Sequence, residues 1–391
     1  MPDTVLTGAT GFLGGYLAAE LLRQTQATVH CLIRGHTEAG AARRLRDHMA
    51  GHGLSADSLK RLVVVHGDIT QPRLGLSDTA YDRLAIASDS IYHCAATLNL
   101  AAEYEWLAPT NIEGTRTLLE FAKHRKPKTI HHVSSLGVFV GARAAGFSEV
   151  DETTPASLET TAGIGYCRTK LDSETLVRGA GLPVVIYRPG LILGDTRAGT
   201  SSERDILVRL LRAAVAVGIV PRTTGQLWVG PVDGVARALV ALSKQEGVIG
   251  QTFHLTNDVP FAIQCALDRL LELGYGLIEE PASRWRSTLI ENIGDSNAFA
   301  MAAVWRVGAY LLEETPAHRM PIFRCDATSA ALRRLGMTVP RADDVLLDRM
   351  IDYLVKRRWL PPAGTERRVP IASRRQSGMD VTTEHARARS R

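Results

Sequence analysis

Near the amino end an apolar strand candidate, Thr4–Thr7, runs straight into Gly8-Ala9-Thr10-Gly11-Phe12-Leu13-Gly14 and from there into an apolar helical pattern, Phe12–Gln24. Few features constrain a fold so tightly. Glycine at the first position permits a tight turn, at the second it lets backbone approach a bound group, and at the third it lets helix pack close on strand. The leading N–H groups of the helix face the turn, which suits an anion and, in this strand-turn-helix setting, the pyrophosphate of a dinucleotide. Thr7, Gly8, Thr10, Gly11, Phe12, Leu13 and Gly14 are therefore candidate cofactor contacts.

The remaining pattern agrees with that start. Short β-branched runs at Thr28–Ile33, Leu62–His66, Ser90–Cys94, Thr129–Ser134 and Pro183–Tyr187 alternate with helical patterns. The latter cover Thr79–Ala87, Ala102–His124 with a bend at Pro109, Tyr166–Arg178 and Arg204–Val217. Such alternation predicts βαβ units. The expected fold is α/β: a Rossmann-type doubly wound parallel sheet, followed by a smaller C-terminal mixed α/β substrate lobe. That lobe is expected to hold strands Gln226–Val229 and Thr252–Leu255 and helices near Val232–Ser243, Ala262–Leu273, Asn297–Leu312, Thr328–Leu335 and Ala342–Lys356. The expected division is 1–220 for the dinucleotide-binding domain and 221–360 for the lobe, interleaved with the first so that some strands return to the sheet. Residues 363–391 are expected to form a disordered basic tail.

Charge at the second strand's end separates NADP from NAD. NAD sites carry an acidic residue there to hold the ribose hydroxyls; this strand ends in Arg34, which suits a 2′-phosphate. Arg44 is a second candidate, although Arg43-Arg44-Leu45-Arg46 also reads as a solvated helix face. Asp68 and Ile69 follow the third strand, where Asp68 is placed either to accept from the adenine amino group or to form a turn. Ala95, in His93-Cys94-Ala95-Ala96, gives backbone access to the middle of the cofactor.

Tyr166 and Lys170 lie four apart, on one helical ridge. A lone pair of this kind is weak; after a fifth strand ending in Val133-Ser134-Ser135, in a chain that began with the glycine turn, it gains weight. A neighbouring ammonium is expected to favour the ionised phenol, and Ser135 to supply a second hydrogen bond to a developing oxyanion.

Composition narrows the classes. The net charge of +5 is concentrated in the last 29 residues, where seven arginines face three acids, so the body is near neutral and a nucleic-acid partner is not indicated. Five cysteines form no CxxC pair, which points to a reducing, cytoplasmic setting, and no metal site is readable. No uncharged apolar run reaches the length of a membrane helix.

These residues resemble the thioester reductases: the terminal reductase domains of nonribosomal peptide synthetases, carboxylic acid reductases and fungal aminoadipate reductase, within the extended short-chain dehydrogenase/reductases. Besides the glycine turn, the likeness is carried by Asn111-Ile112-Glu113-Gly114-Thr115, Tyr187-Arg188-Pro189-Gly190, Gly194-Asp195-Thr196-Arg197-Ala198-Gly199 and Trp228-Val229-Gly230-Pro231-Val232-Asp233. It continues through Thr252-Phe253-His254-Leu255 and Phe323-Arg324-Cys325-Asp326. The resemblance implies catalysis by Ser135, Tyr166 and Lys170, NADPH held by the glycine turn and Arg34, and Pro189 and Gly190 beside the nicotinamide. Asn111 is a candidate for a proton relay. Threonine is usual where Ser135 stands, and either hydroxyl can donate. Because the chain opens at the first strand, the implied acyl donor comes from outside, as a carrier-protein or coenzyme A thioester. Two rival readings keep the same residues: a sugar-nucleotide epimerase, dehydratase or hydroxysteroid-type dehydrogenase, and a non-catalytic NADP-binding scaffold.

Arg34 yields a direct expectation. A charge-assisted contact to phosphate contributes on the order of 1.5–3 kcal/mol, so Arg34→Ala should reduce the preference for NADPH over NADH by roughly tenfold or more. The ratio of kcat/KM values with the two cofactors measures it; an unmoved ratio places the phosphate elsewhere, with Arg44 next in line.

Overall fold

In the computed structural model, residues 3–312, 315 and 318–365 are described. All but the first three residues of the expected basic tail lie outside them. Seven parallel strands form the central sheet, in the spatial order Thr252–Leu255, Val184–Pro189, Thr129–Val133, Ser88–His93, Asp3–Thr7, Val29–Ile33, Leu62–His66. The chain starts in the middle, winds outward through Val29–Ile33 and Leu62–His66, then crosses back to Ser88–His93 and winds the other way. Winding thus reverses between Asp3–Thr7 and Ser88–His93, and a crevice opens at their carboxyl ends.

Helices bury both faces of the sheet. Phe12–Gln24, Glu38–Met49 and Val232–Ser243 cover one face through Leu17, Leu21, Leu45 and Leu239. Asp78–Ala87, Gly114–Lys123 and Gly165–Arg178 cover the other through Leu84, Leu118, Phe121 and Val177. Sandwiched strands are largely apolar on both sides, which explains why their short runs do not alternate cleanly with polar residues. The helix expected over Ala102–His124 is Tyr104–Ala108, a π-helical turn Pro109–Glu113 and Gly114–Lys123. Pro109 has no N–H for a regular helical bond, and the wider turn absorbs the misfit. The pattern over Asn297–Leu312 is two helices, Ser296–Ala302 and Trp305–Leu311, broken at Val304.

A second core is built on Ile206–Val217. Against it pack Ile263–Glu272, Ala282–Glu291, Ser296–Ala302 and Asp344–Lys356, with Leu211, Trp285, Met301 and Met350 among the buried side chains. Two segments from the 221–360 stretch sit with the sheet, one of them a strand returning to it as the interleaved division expects. Val232–Ser243 packs on the glycine-turn helix, and Thr252–Leu255 is the sheet's edge strand beside Val184–Pro189. Ile206–Val217, from before residue 220, belongs to the second core, so a single cut at 220 does not separate the two bodies.

Asp205 caps that second-core helix. Its Oδ1 accepts from the Leu207 N–H at 2.7 Å, while Oδ2 is buried with no partner among the described residues. Burial lifts this carboxyl from 3.8 to about 7. A raised folded-state value makes ionisation unfavourable to folding: the penalty is absent below about pH 4, grows up to about pH 7 and is constant above it. Asp205→Asn retains a capping oxygen and cannot ionise. The stability of this variant relative to the native chain should therefore rise by on the order of 2–4 kcal/mol between pH 4 and pH 8. Urea unfolding of both proteins at the two pH values measures the change, and a difference independent of pH would refute the assignment.

Candidate active site

Four strand ends converge on the crevice and wall a cavity of about 390 Å³. Gly8, Gly11, Phe12, Leu13 and Gly14 line one side; Cys94 and Ala96, Ser134 and Ser135, and Pro189 and Gly190 follow from the next three strands. The glycine turn is closed on the protein side and open on the cavity side. Gly8 has φ +78°, and a Cβ there would stand 2.7 Å from the Ala95 nitrogen; one on Gly14 would stand 1.9 Å from the Gly8 oxygen. A Cβ on Gly11 would meet only the Gly8 oxygen, at 3.1 Å, and the helix that begins at Phe12 has no side-chain cap. Its first N–H groups are left for a ligand.

A buried hydrogen-bond chain locks the turn to the next strand. Thr115 Oγ1 donates to the Asn111 carbonyl at 2.7 Å, so His93 Nε2–H donates to Thr115 Oγ1 at 3.0 Å and Nδ1 accepts from Thr7 Oγ1 at 2.9 Å. Burial lowers the His93 imidazole to about 3, which keeps this tautomer neutral.

Tyr166 and Lys170 project from the first turns of Gly165–Arg178 into the same cavity. Lys170 Nζ donates to the Val133 carbonyl at 2.6 Å, and burial pulls the ammonium down to about 8. Ser135 Oγ accepts from the Gly137 N–H at 3.0 Å, leaving the hydroxyl proton for a ligand. The Tyr166 hydroxyl has no hydrogen-bond partner among the described residues, and burial pushes its phenol up. The expected drop in the phenol is thus not what the protein alone produces. Desolvation of the ring dominates, and the Lys170 ammonium is engaged by the Val133 carbonyl.

Beneath these residues lies a network whose partners the sequence reading did not connect. Arg188 donates Nε to Glu174 Oε1 at 2.9 Å and Nη2 to Oε2 at 2.7 Å, with side-chain exposures of only 4% and 3%. Arg188 Nη1 meets His254 Nε2 at 3.4 Å, and His254 Nδ1–H donates to the Arg324 carbonyl at 2.9 Å. The Ser134 hydroxyl also donates to Glu174. Burial works against the Glu174 carboxylate, yet hydrogen bonds from Arg188 and Ser134 hold it below its ordinary range. A cation inside the apolar strand Val184–Pro189 was the available signal, since it requires a buried acceptor.

Other expected residues lie away from the cavity wall. Arg34 and Arg44 are both exposed at the end of Val29–Ile33, and Arg44 Nη2 donates to the Arg34 carbonyl at 2.5 Å. Asp68 forms the turn: Oδ1 accepts from the N–H and the hydroxyl of Thr70, each at 2.9 Å. Ile69 packs on Gly114, where a Cβ would stand 2.8 Å from its Cδ1. Thr10 is half-buried outside the cavity wall. Asn111 is buried, and its amide is consumed by Thr97 N–H at 2.7 Å, Thr97 carbonyl at 3.2 Å and Thr169 Oγ1 at 2.9 Å. It pins the segment after Ser88–His93 to the Tyr166 helix, an arrangement that leaves no side-chain group for relaying protons.

The diagnostic stretch from Gly194 to Gly199 is a knot of its own. Asp195 accepts from the N–H groups of Arg197, Ala198 and Thr200 at 2.8–2.9 Å, and Asp233 accepts from the Thr196 N–H at 3.0 Å. Beyond it the cavity becomes apolar, walled by Leu136, Ile164, Leu227, Tyr310, Met320 and Phe323 among others.

With this geometry in view, known proteins supply context. A family model described as Male sterility protein matches residues 6–239. The chain belongs to that family. The solved terminal R domain from the myxalamid PKS-NRPS biosynthetic pathway matches with a TM-score of 0.84 at 34% identity, covering 93% of this chain and 92% of that one. The isonitrile lipopeptide synthase of Streptomyces coeruleorubidus is 36% identical over 93% of this chain and 25% of its own length. The L-2-aminoadipate reductase large subunit of Penicillium chrysogenum is 30% identical over 75% of this chain and 22% of its own length. The chain therefore spans about a quarter of these curated relatives. It is thereby homologous to the terminal reductase domains of the extended short-chain dehydrogenase/reductase family. Its residues fit the dinucleotide, because the Gly11 side of the turn is open where the Gly14 side is filled.

Removing one partner of the buried ion pair strands the other. Arg188→Met should destabilise the protein by about 3–5 kcal/mol, and adding Glu174→Leu should restore part of that loss because no buried charge remains. Denaturant melts of the single and double variants decide it; a single variant within about 1 kcal/mol of the native chain would show the pair to be energetically idle.

Proposed function

We propose that the chain is an NADPH-dependent reductase of acyl thioesters, presented on a carrier protein or on coenzyme A, that releases an aldehyde or, after a second round, an alcohol. The observation that carries this reading is one continuous cavity. It runs from the open glycine turn, past Ser135, Tyr166 and Lys170, to an apolar wall suited to an acyl chain. The names of the similar reductase domains and of aminoadipate reductase support the reaction class. Arg34 and Arg44, adjacent and exposed at the second strand's end, support the choice of NADPH.

A dinucleotide held at the glycine turn would supply hydride for the thioester carbonyl carbon. The carbonyl oxygen then gathers charge between two donors. Tyr166, held protonated by burial, gives its proton to that oxygen, and Ser135 donates a second hydrogen bond. Lys170 donates to Val133 with one N–H and directs the others at the cavity, where they orient the ribose and stabilise the tyrosinate left behind. When the C–S bond of the resulting hemithioacetal breaks, the hydroxyl proton leaves its oxygen, the carbonyl of the aldehyde forms and the sulfur departs as thiol. Leu136, Ile164 and Phe323 exclude water around the acyl group, so that reduction competes well with hydrolysis.

Tyr166→Phe should lower the rate of thioester reduction by at least roughly a hundredfold, the scale of a lost general acid, with little change in dinucleotide affinity. Cofactor oxidation with product identification gives the rate, and fluorescence titration gives the affinity. Substantial turnover by the phenylalanine variant would remove Tyr166 from the mechanism.

A further inference from the structure

A second cavity, of about 370 Å³, opens beside the first and shares Ile164 and Tyr310 with it. Its chemistry is different. Arg286, Arg306 and His318 line it together with Trp305, Ala309 and Ala162. Two of these cations come from helices of the second core, Ala282–Glu291 and Trp305–Leu311. The Arg286 guanidinium lies over the Trp305 ring, 5.0 Å from its centroid, which directs the charge along the cavity wall.

Arg306 connects this cavity to the catalytic helix. Its Nη2 donates to the Gly163 carbonyl at 3.2 Å, in the turn that leads through Ile164 to Tyr166. Among the described residues its Nη1 makes one further contact, long and exposed, to Glu103 at 3.7 Å, so N–H donors remain for a ligand. An exposed arginine fork, a second guanidinium and an indole wall around one concavity suit a phosphate group better than a carboxylate of the acyl chain, since the planar fork of Arg306 can engage two phosphate oxygens.

We propose that this second cavity is a phosphate subsite for the thiol-bearing arm of the substrate: it holds the phosphate of a phosphopantetheine whose thioester end passes Ile164 and Tyr310 into the catalytic cavity. The assignment rests on the thioester reading above. Phosphopantetheine is common to carrier proteins and coenzyme A, so the subsite recognises what the two donors share.

The experiment compares one acyl group on pantetheine, 4′-phosphopantetheine, coenzyme A and a holo carrier protein, using the whole chain. For the native protein kcat/KM should be roughly tenfold or more higher with the phosphorylated arm than with pantetheine, chiefly through KM. In Arg286→Ala/Arg306→Ala that ratio should fall towards one, while Arg306→Lys should keep most of it. A parallel loss with coenzyme A and carrier thioesters is expected; a loss with one alone identifies that donor as the natural source. Calorimetric binding of 4′-phosphopantetheine against pantetheine separates the two claims. Discrimination in binding without reduction of any thioester would overturn the reaction assignment and leave the subsite standing. Equal binding of the two, or a phosphate advantage abolished by Arg204→Ala, in the wall of the catalytic cavity, but not by the double variant, would overturn the subsite.

Discussion

The pairing of Glu174 with Arg188 holds the catalytic apparatus in register. Glu174 rides on the helix that presents Tyr166 and Lys170, and Arg188 sits in the strand that ends at Pro189 and Gly190. The same carboxylate holds Ser134, the neighbour of Ser135, and the same guanidinium reaches His254 on the edge strand. Three strands and one helix are thus indexed to a single ion pair. Desolvating both charges is costly, and the bidentate geometry with its additional hydrogen bonds is what offsets that cost. Apolar packing alone would let a helix slide along a sheet with little penalty, whereas a forked pair has one best position.

Burial around this pair also sets the charge states above it. Two cations, Lys170 and Arg188, lie in the interior, and the histidines nearby are driven neutral: His93, His131 and His254 are all lowered by burial to about 3 or 4. The neutral rings then work as hydrogen-bond connectors of fixed tautomer. Tyr166 is affected in the opposite sense, its phenol held protonated, so the cavity starts with a proton to give. Spacing of four residues announces that the phenol and ammonium share a ridge, but it cannot say which of them the surroundings favour.

Much of the architecture was legible because it is local. The strand, glycine turn and helix from Asp3 to Gln24 follow from glycine chemistry, and the first six strands of the sheet follow from short runs rich in apolar and β-branched residues. Glu38–Met49 was legible only as a solvated helix face at Arg43–Arg46, without bounds, because its apolar face is only Ala41, Leu45 and Met49. Thr252–Leu255 was readable as a strand, while its partner, Val184–Pro189, is chosen by the sheet's free edge and by burial of Phe253 and Leu255. Asn111 and Asp68 show the limit at the site: polar residues next to a ligand pocket invite a chemical role, yet the backbone around them consumes their hydrogen-bonding capacity. Glu174 and Arg188 lie 14 positions apart and on different elements, and only the folded chain reveals that they are one unit.

The edge strand has one more consequence. Because Val232–Ser243 and Thr252–Leu255 return to the sheet between segments of the second core, the polypeptide passes from one body to the other repeatedly. The acyl-binding half is therefore not a cassette. Exchanging it between relatives would require several splice points at once, and a single graft running from Ile206 to Lys356 would carry the donor's edge strand Thr252–Leu255 into the recipient's sheet. Evolution of new acyl preferences in such a chain is confined to point changes along the cavity wall, made without disturbing the sheet to which that wall is stitched.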